Sequence, residues 1–368
     1  MILLLHHRYR HPGGEERAVG DLAWLIETQL GEEVEVLERS SASLGRGRAA
    51  AGLLAGGLSP EEVGAAVRRT GARVVHAHNV HPTLGWRALA AARHAGARVV
   101  LHLHNYRFVC AVGTCFTRGE DCTRCHGRNT APGVRLNCRG GARVEAAAYG
   151  AGLALWQRRL AAQVGAFVVP SAFALGRLRE LGAPVGDRAV VLPSVQRSFA
   201  DRSGAAEGRF ALVAARLTPE KGVADAVAAC GAARLRLVVA GDGPERGALE
   251  AAARGHDVRF TGRIEPPALA ALRRDAALAI VPSRYAEILP LAALEAMAAG
   301  LPVVAADSGG LREIVPDAAR YPAGDVAALA MRAREAYGDA AAGERALATA
   351  RKRTAPAVIA RQLRAIYS

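Results

Sequence analysis

Lysine is nearly absent from this chain: Lys221 and Lys352 are the only lysines among 48 basic residues, and the rest are arginines. Aromatic residues make up 5% of the 368 residues, although apolar residues make up 51%. A hydrophobic core must therefore be built mainly from alanine, leucine and valine. The preference for arginine is typical of GC-rich coding, and it makes an isolated lysine conspicuous.

Long apolar segments are absent as well. The best candidate for a membrane span, residues 288–306, contains Glu295, Gly300 and two prolines. The opening sequence MILLLHHRYR has too short an apolar core for a signal peptide, and its basic residues follow that core rather than precede it. We therefore expect a cytoplasmic protein, with peripheral contact at the inner membrane face left open.

The net charge of +14 is unevenly distributed. Residues 1–195 hold 24 basic and 15 acidic groups (+9), and the remainder holds 24 and 19 (+5). Such an excess suits nucleic acid, an anionic membrane surface or a phosphorylated substrate, and it is also what a solvated arginine-rich surface looks like. Because no nucleic-acid motif and no basic run with interleaved aromatics accompanies it, we expect no nucleic-acid partner.

Apolar runs alternate with helical patterns in both halves of the chain, which indicates α/β domains with parallel sheets. The length suffices for two such domains. We predict a first domain at residues 1–195, a polar linker and hinge at 194–208, a second domain at 205–352 and a terminal segment at 353–368 that contains a helix. Strands are predicted at 1–6, 33–38, 72–77, 99–103, 167–170, 189–192, 210–214, 235–240, 258–260, 277–281 and 302–305.

The stretch VPSRYAEILPLAALEAMAAGLPVVAADSGGLREIV, residues 281–315, predicts a strand, a loop with Glu287, a helix with Glu295 and a further strand. Pro290 fits the first helical turn. Seven residues separate the two glutamates, about two helical turns, so both carboxylates can point to one side. A helix N-terminus suits a phosphate, and carboxylates suit sugar hydroxyls. The alternative is a solvated helix face, against which the apolar neighbours of Glu295 argue.

Two cations, Arg216 and Lys221, lie in the loop that follows the predicted strand at 210–214. An arginine can bind a phosphate through two parallel hydrogen bonds, while a lysine acts as a point charge. The loop therefore suits a diphosphate, with solvated surface charges as the alternative. No Asp-x-Asp pair, which commonly holds Mg²⁺ on a diphosphate, occurs in the sequence.

Glycine-rich loops follow two further strands. Gly13 and Gly14 come after the first strand, where glycine lets the backbone approach a ligand closely, although a generic turn explains them nearly as well. The segment Gly241-Asp-Gly243-Pro superficially matches a dinucleotide-binding fingerprint. Its third glycine, Gly247, comes one residue late, so the spacing excludes a nicotinamide site.

Histidines follow two predicted strands at their carboxyl ends: His76 and His78 follow one, and His104 follows the next. Side chains at such strand ends point into the ligand crevice of an open α/β sheet. A histidine with a purely structural role is the more common explanation at any one of these positions.

Five of the six cysteines fall within one loop: Cys110, Cys115, Cys122, Cys125 and Cys138. The Cys-x-x-Cys pair at 122 and 125 has the spacing of a zinc knuckle. The loop is rich in glycine, arginine and threonine and has little apolar material for a core, so a structural metal would explain how it is held together. A zinc site, disulfides and free thiols all stay open.

The order Glu287, seven residues, Glu295-Ala-Met-Ala and Gly-Leu-Pro-Val-Val-Ala resembles the nucleotide-sugar module of family 4 glycosyltransferases, which are retaining enzymes of the GT-B fold. Arg216 and Lys221-Gly resemble the diphosphate-binding residues of that family. The resemblance is strongest over 216–315 and loosest before residue 74. The usual Phe-Gly pair after the first glutamate is replaced by Leu289-Pro290, which alters the loop that approaches the donor sugar.

The resemblance implies a GT-B architecture: two Rossmann-like domains with parallel sheets facing a cleft, the acceptor in the first, the donor in the second, and a terminal helix that returns to the first. The implied catalytic residues are His104, Glu287, Arg216 and Lys221. The implied donor-binding residues are Gly13, Gly14, Arg216, Lys221, Gly243, Arg263, Ile264, Glu287, Ile288, Leu289, Pro290, Leu291 and Glu295. Some members carry a similar cysteine loop, which favours Cys110, Cys122, Cys125 and Cys138 as a closed structural zinc site. Cys115 would then be a spare thiol, and His126 an alternative ligand.

The implied reaction moves a hexose-type sugar from a nucleoside diphosphate sugar, with UDP favoured, to a hydroxyl group of a glycan precursor or of a small natural product such as an aminocyclitol. We expect no catalytic metal, because Arg216, Lys221 and the helix N-terminus can neutralise the leaving diphosphate. Because no carboxylate nucleophile is evident near His104, we favour same-face attack. The alternatives are a nucleotide-sugar 2-epimerase of the same fold and a non-catalytic sugar-nucleotide-binding protein. The oligomeric state is not predicted.

Overall fold

The computed structural model describes residues 1–9, 13–42, 44–139, 141 and 143–368. The chain divides into two compact units. Unit 1 comprises Met1–Thr117, Cys122–Val195 and Pro356–Ser368, and unit 2 comprises Arg118–Asp121 and Gln196–Ala355.

Strands and helices alternate along both units. The strands are β1 (Ile2–Arg8), β2 (Val34–Ser40), β3 (Val74–Ala77), β4 (Arg98–His102), β5 (Phe116–Thr117), β6 (Glu120–Asp121), β7 (Ala166–Val169), β8 (Ala189–Val191), β9 (Ala211–Ala214), β10 (Leu237–Ala240), β11 (Val258–Gly262), β12 (Leu278–Val281), β13 (Val303–Ala306) and β14 (Arg320–Tyr321). The α-helices are α1 (Gly14–Leu25), α2 (Arg46–Ala55), α3 (Pro60–Thr70), α4 (Gly85–His94), α5 (Ala131–Arg135), α6 (Arg143–Gln163), α7 (Ala172–Glu180), α8 (Val223–Ala233), α9 (Arg246–Ala252), α10 (Pro266–Arg274), α11 (Leu291–Ala298), α12 (Val326–Ala336), α13 (Ala340–Thr354) and α14 (Pro356–Tyr367). All eleven strands predicted from the sequence are present, whereas the short strands β5, β6 and β14 were not predicted.

Unit 1 is built on a six-stranded sheet in the order β2-β1-β3-β4-β7-β8, and all of its neighbouring strands are parallel. Leucine, isoleucine and valine of β1, β3, β4 and β7 pack against the apolar faces of α1 and α14. The terminal helix therefore contributes to the core of unit 1: Ile359, Leu363 and Ile366 are almost completely buried. The strand order reverses beside β1, which places a ligand crevice at the carboxyl ends of β1 and β3.

Unit 2 is built on a second parallel sheet, in the order β11-β10-β9-β12-β13-β14. Two apolar clusters cover its two faces, as expected for parallel strands that are buried on both sides. The order reverses between β9 and β12, so the loops that follow these two strands border the crevice of this sheet. These are the loops that carry Arg216, Lys221 and Glu287.

Over the residues that the structure describes, no helix is both long and apolar enough to cross a bilayer.

Candidate functional site

The loops after β9 and β12 meet through the side chains of Lys221 and Glu287, which are 66 residues apart in sequence. Lys221 Nζ donates hydrogen bonds to Glu287 Oε1 at 2.9 Å and to Tyr285 Oη at 3.3 Å. Ser283 Oγ donates to the same carboxylate oxygen of Glu287. Unit 2 thus places a cation, a carboxylate and a phenol side by side at the crevice of its sheet.

This group of side chains is shielded from solvent. Glu287 is 5% exposed, and the side chain of Lys221 is 17% exposed. Burial alone lowers the pKa of Lys221, but Glu287 and Tyr285 outweigh burial and raise it well above the usual value. Burial, with a smaller contribution from Glu287, raises the pKa of Tyr285 to about 12. At neutral pH the ammonium is therefore charged and the phenol is neutral.

Two glycines allow the backbones around this group to approach each other. Gly222 has a φ of +63°, and a Cβ there would lie 3.1 Å from the carbonyl carbon of Pro282 and closer still to its oxygen. Gly309 has a φ of +56°, and a Cβ there would lie 2.6 Å from the nitrogen of Glu287. The neighbouring Gly310 N–H donates to the Glu287 carbonyl at 2.8 Å. Only glycine fits such backbone conformations at these separations.

Helix α11 begins at Leu291, and Pro290 is its N-cap residue rather than a member of its first turn. A proline has no side-chain hydrogen-bonding group, so it leaves the amides of the first turn uncapped by its side chain. This helix end lies in the same loop-helix segment as Glu287. It therefore offers N–H groups of the kind that bind phosphate.

Glu295 lies on α11 and is paired with an arginine that the sequence analysis did not single out. Its Oε2 accepts a hydrogen bond from Arg273 of α10, and both side chains are buried. In the sequence, Arg273 looks like an ordinary basic residue at the end of an amphipathic helix, and only tertiary packing reveals its burial. A ribose-binding role for Glu295 stays a prediction, now with Arg273 as the group that orients the carboxylate.

The other predicted donor-binding residues of unit 2 differ in exposure. Arg216 and Arg263 are exposed, while Ile288 and Pro290 are buried. Ile264, Leu289 and Leu291 are half-buried, and the first two pack against the apolar cluster that contains α11. A Cβ at Gly243 would lie 2.8 Å from the nitrogen of Leu217, so the packing of the chain on itself already requires glycine there.

In unit 1, His104 follows β4 and lies in a second group of polar side chains. Its Nε2 shares a hydrogen bond of 2.8 Å with Nδ1 of His78. Burial, reinforced by neighbouring histidines, holds the pKa of both rings well below the usual value, so both are neutral at pH 7. The two rings line a cavity together with His81, Asn105 and Arg107.

A buried carboxyl group, Glu15, lines the same cavity and corrects the expectation that no carboxylate lies near His104. Tyr9 Oη donates to Glu15 Oε2 at 2.9 Å, and Asn105 Nδ2 does so at 3.4 Å. Burial raises the pKa of Glu15 to about 7. Nothing in the sequence marks Glu15, because acidic residues are common in the first turn of a helix, where they complement the helix dipole.

The predicted glycine loop precedes this carboxylate. Gly13 is the N-cap residue of α1, and Gly14 is its first residue; both are exposed. The Gly13 N–H donates to Glu16 Oε2 at 2.6 Å. His11 and Pro12, which precede these glycines, lie outside the described residues.

Glu15→Gln is expected to change how stability depends on pH. The pKa of Glu15 is raised from 4.5 to about 7 on folding, so between these pH values the folded chain holds a proton that the unfolded chain releases. This contribution is fully present below pH 4.5 and is lost as pH rises through about 7. As pH rises from 4.5 to about 7, the wild type loses this stability and the variant does not. The free energy of unfolding of the variant should therefore increase relative to that of the wild type by about 1.4 kcal/mol per pH unit.

Chemical denaturation at several pH values measures this difference. Glu61→Gln, at an exposed position of α3, is the control and should follow the wild-type profile. Parallel profiles for Glu15→Gln and the wild type would contradict a buried, protonated Glu15.

The cysteines of the predicted zinc loop line one cavity, together with Ala111, Thr117 and Gly133. Cys110 Sγ accepts a hydrogen bond from the Gly113 N–H at 3.4 Å. A hydrogen bond from Cys115, partly offset by burial, lowers the pKa of the Cys110 thiol to about 6. Cys115 is 1% exposed, so the structure does not separate it as a spare from the four predicted ligands, Cys110, Cys122, Cys125 and Cys138.

Two family models together match most of the chain. The family model described as "Glycosyl transferase 4-like domain" matches residues 9–194, and the one described as "Glycosyl transferases group 1" matches residues 208–339. Glycogen synthase of Mycobacterium tuberculosis (strain ATCC 25618 / H37Rv) is 40% identical over 166 residues, which are 41% of this chain and 39% of that protein. The match thus spans about two fifths of the length of this relative.

Solved structures match over nearly the full length. Sucrose-phosphate synthase from Thermosynechococcus elongatus is 17% identical, with a TM-score of 0.70 over 100% of this chain and 98% of that chain. Anabaena Alr3699/HepE in complex with UDP is 17% identical, with a TM-score of 0.63 over 99% and 98%. These likenesses show a shared fold.

Proposed function

This chain belongs to the group 1 glycosyltransferases of family 4, with the GT-B fold, and on that premise we propose that it transfers a hexose-type sugar from a nucleoside diphosphate sugar to an acceptor hydroxyl group. The observation that carries the proposal is the buried pairing of Lys221 with Glu287 at the crevice of unit 2. We favour a UDP-sugar, since Alr3699/HepE was solved with UDP.

The diphosphate of the donor would bind Arg216, Lys221 and the N-terminus of α11. Phosphate oxygens can accept hydrogen bonds from the ammonium, from the exposed guanidinium and from the free amides of the helix. Glu287 would bind the hydroxyl groups of the donor sugar, and Glu295, oriented by Arg273, would bind the ribose. His104, with its neutral ring, would accept or donate one hydrogen bond to the sugar.

Sugar transfer would proceed by same-face attack. The bond between the anomeric carbon and the phosphate oxygen breaks, the acceptor oxygen bonds to the same face, and the acceptor proton passes to the departing phosphate. Lys221 and Arg216 stabilise the negative charge that develops on the diphosphate, which is the larger part of such catalysis. A covalent route would need a carboxylate nucleophile, and Glu15 is a candidate in unit 1. A glycosyl adduct on Glu15, found by mass spectrometry, would replace same-face attack.

A thermal-shift panel of UDP-, GDP- and dTDP-sugars tests donor binding. A ligand at 100 times its dissociation constant stabilises the folded chain by about 2.7 kcal/mol. Transfer is then measured with the donor that binds, using glycan precursors and aminocyclitols as acceptors. Absence of stabilisation by every nucleotide sugar would overturn the proposal.

The epimerase alternative predicts a product without an acceptor. Incubation with UDP-GlcNAc alone, followed by analysis for epimerised sugar, separates the two activities. Binding of a nucleotide sugar with no turnover under either condition would instead favour a non-catalytic binding protein.

Transfer activity is expected to survive brief treatment with EDTA. The sequence holds no Asp-x-Asp pair, and Arg216, Lys221 and the N-terminus of α11 can neutralise the leaving diphosphate, so we expect no requirement for Mg²⁺. Initial rates with and without EDTA, and with added Mg²⁺, measure this. An absolute requirement for Mg²⁺ would contradict it.

We also propose a structural zinc ion at Cys110, Cys122, Cys125 and Cys138, whose side chains line one cavity. Their sulfur atoms are not yet close enough together to form a metal group in the described residues, so zinc binding would draw them inward. An amide N–H already donates to Cys110 Sγ, as in zinc knuckles, and the low pKa of this thiol suits a thiolate ligand. Cys125→Ser should lower both the bound zinc and the melting temperature. Cys230→Ser, in the core of unit 2, is the control and should leave the zinc content unchanged. Equal zinc content in Cys125→Ser and the wild type would exclude the site.

A further inference from the structure

Four histidines of unit 1 form a stack: His76, His78 and His102 are buried, and His104 is half-buried. They lie on or directly after β3 and β4, which are adjacent parallel strands. Because side chains alternate along a strand, residues two apart share one face of the sheet. The ring centroids of His76 and His78 are 4.8 Å apart, and the ring centroids of His102 and His104 are 4.0 Å apart.

The nitrogens of this stack are poorly satisfied. In the described part of the chain, Nε2 of His76, Nε2 of His78 and both ring nitrogens of His102 are buried without a hydrogen-bond partner. Buried polar atoms almost always have a partner, so an unpaired group points to an ordered water or an ion. Four such atoms in three neighbouring rings indicate that the stack binds a group from outside the protein chain.

We propose that His78, His102 and His104 bind one divalent metal ion of the zinc class. One ring nitrogen from each lies within 4.8 Å of the other two, the only such group of metal-binding side chains among residues 1–9, 13–42, 44–139, 141 and 143–368. Imidazole nitrogens select zinc, nickel, cobalt and copper over magnesium and calcium, which prefer oxygen. Around a tetrahedral ion the ligand nitrogens would be about 3.3 Å apart.

Metal binding needs a modest rearrangement of the rings. The rings of His102 and His104 are inclined by only 14°, so each must turn until its lone pair points at the ion. The hydrogen bond between His78 and His104 would be exchanged for metal bonds, whereas the nitrogens of His102 have no hydrogen bond to lose within the part of the chain that the structure describes. A fourth position would open toward the cavity lined by Glu15 and Asn105.

His102→Phe is the decisive variant. Because neither ring nitrogen of His102 has a hydrogen-bond partner among the described residues, a variant with an apolar ring of similar shape should fold as well as the metal-free wild type. We expect Zn²⁺ or Co²⁺ to raise the melting temperature of the wild type but not of His102→Phe, with affinity lowered about tenfold or more. His94→Phe, at an exposed position of α4, should bind as the wild type does.

The same metal titration in Cys125→Ser tests whether the cysteine loop is the source of the signal. This variant should keep the histidine site. The Co²⁺ spectrum of that variant should show metal bands without a thiolate charge-transfer band. Cadmium NMR of the unmodified chain gives a second readout that depends on no variant: a resonance in the range of nitrogen ligands supports the site. Unchanged binding by His102→Phe, cadmium signals from thiolate ligands alone, or no metal binding would each overturn the proposal.

A bound ion would occupy His104 and so slow sugar transfer. We expect added Zn²⁺ to inhibit and EDTA to restore the rate. This consequence rests on the proposed function, whereas the stability and spectroscopic measurements do not. Metal binding without inhibition would therefore leave the site in place and remove His104 from catalysis.

Discussion

Replacing Lys221 with alanine is expected to lower kcat by about 100- to 1,000-fold, the range seen when one preorganised donor to a developing negative charge is removed. Lys221 is held by Glu287 and Tyr285 before any ligand binds, so its charge needs little reorganisation during reaction. UDP binding should weaken as well, because the same ammonium faces the diphosphate in the ground state. Steady-state kinetics and a UDP titration measure the two effects.

The second lysine of the chain is the matched control. Lys352 is exposed on α13, and Lys352→Ala should leave kcat and UDP binding unchanged. Near-normal turnover by Lys221→Ala would remove this residue from the mechanism.

Glu287→Ala is expected to lower turnover by a similar factor. Comparing the stability and the activity of this variant with those of a double variant separates its effect on catalysis from its effect on folding. Each single variant leaves one buried charge without its partner, at a cost of about 3–5 kcal/mol. The double variant Lys221→Ala/Glu287→Ala removes both charges. Its loss of unfolding free energy should therefore be smaller than the sum of the losses in the two single variants, while the double variant remains inactive.

Gly222→Ala is expected to destabilise unit 2 by about 2–5 kcal/mol and to abolish most activity. Alanine is strained at a φ of +63°, and its Cβ would strike the carbonyl group of Pro282. Relief of that clash must move the β9 loop away from the β12 loop. Lys221 immediately precedes Gly222, so its ammonium would move away from Glu287.

A second glycine with a positive φ separates the effect of the clash from the effect of the backbone strain. Gly255 has a φ of +84°, but a Cβ there would meet nothing within 4 Å. Gly255→Ala should thus cost only the left-handed strain, about 1–2 kcal/mol, and keep full activity. Urea denaturation and kcat distinguish the two variants; equal effects would mean that the contact with Pro282 is unimportant.

Most of the fold was accessible from the sequence because parallel strands are buried on both faces and read as short apolar runs between helices. The strands at 277–281 and 302–305 were predicted in this way and are β12 and β13. The two-residue strand β14 was missed, since Arg320–Tyr321 has no apolar run to mark it. Helix α2 lies in a stretch rich in glycine, alanine and arginine that the sequence left unassigned.

The candidate site was accessible only in part. Lys221 and Glu287 stood out by rarity and spacing, but their contact required the strand order that brings β9 next to β12. Glu15, Arg273 and the buried nitrogens of His102 carried no such signal. An acidic residue at a helix start, an arginine at a helix end and a histidine in a strand look alike in sequence whether they are buried or exposed.

The sequence by itself determined which side chains are available: an arginine and a lone lysine after one strand, two glutamates after another, and histidines at the ends of two more. Tertiary structure alone decided which of them meet. Local patterns report the period and polarity of each element, whereas pairing, burial and pKa depend on neighbours that are distant in the chain. For that reason the Lys221–Glu287 pair and the unpaired nitrogens of the histidine stack became visible only in the folded molecule.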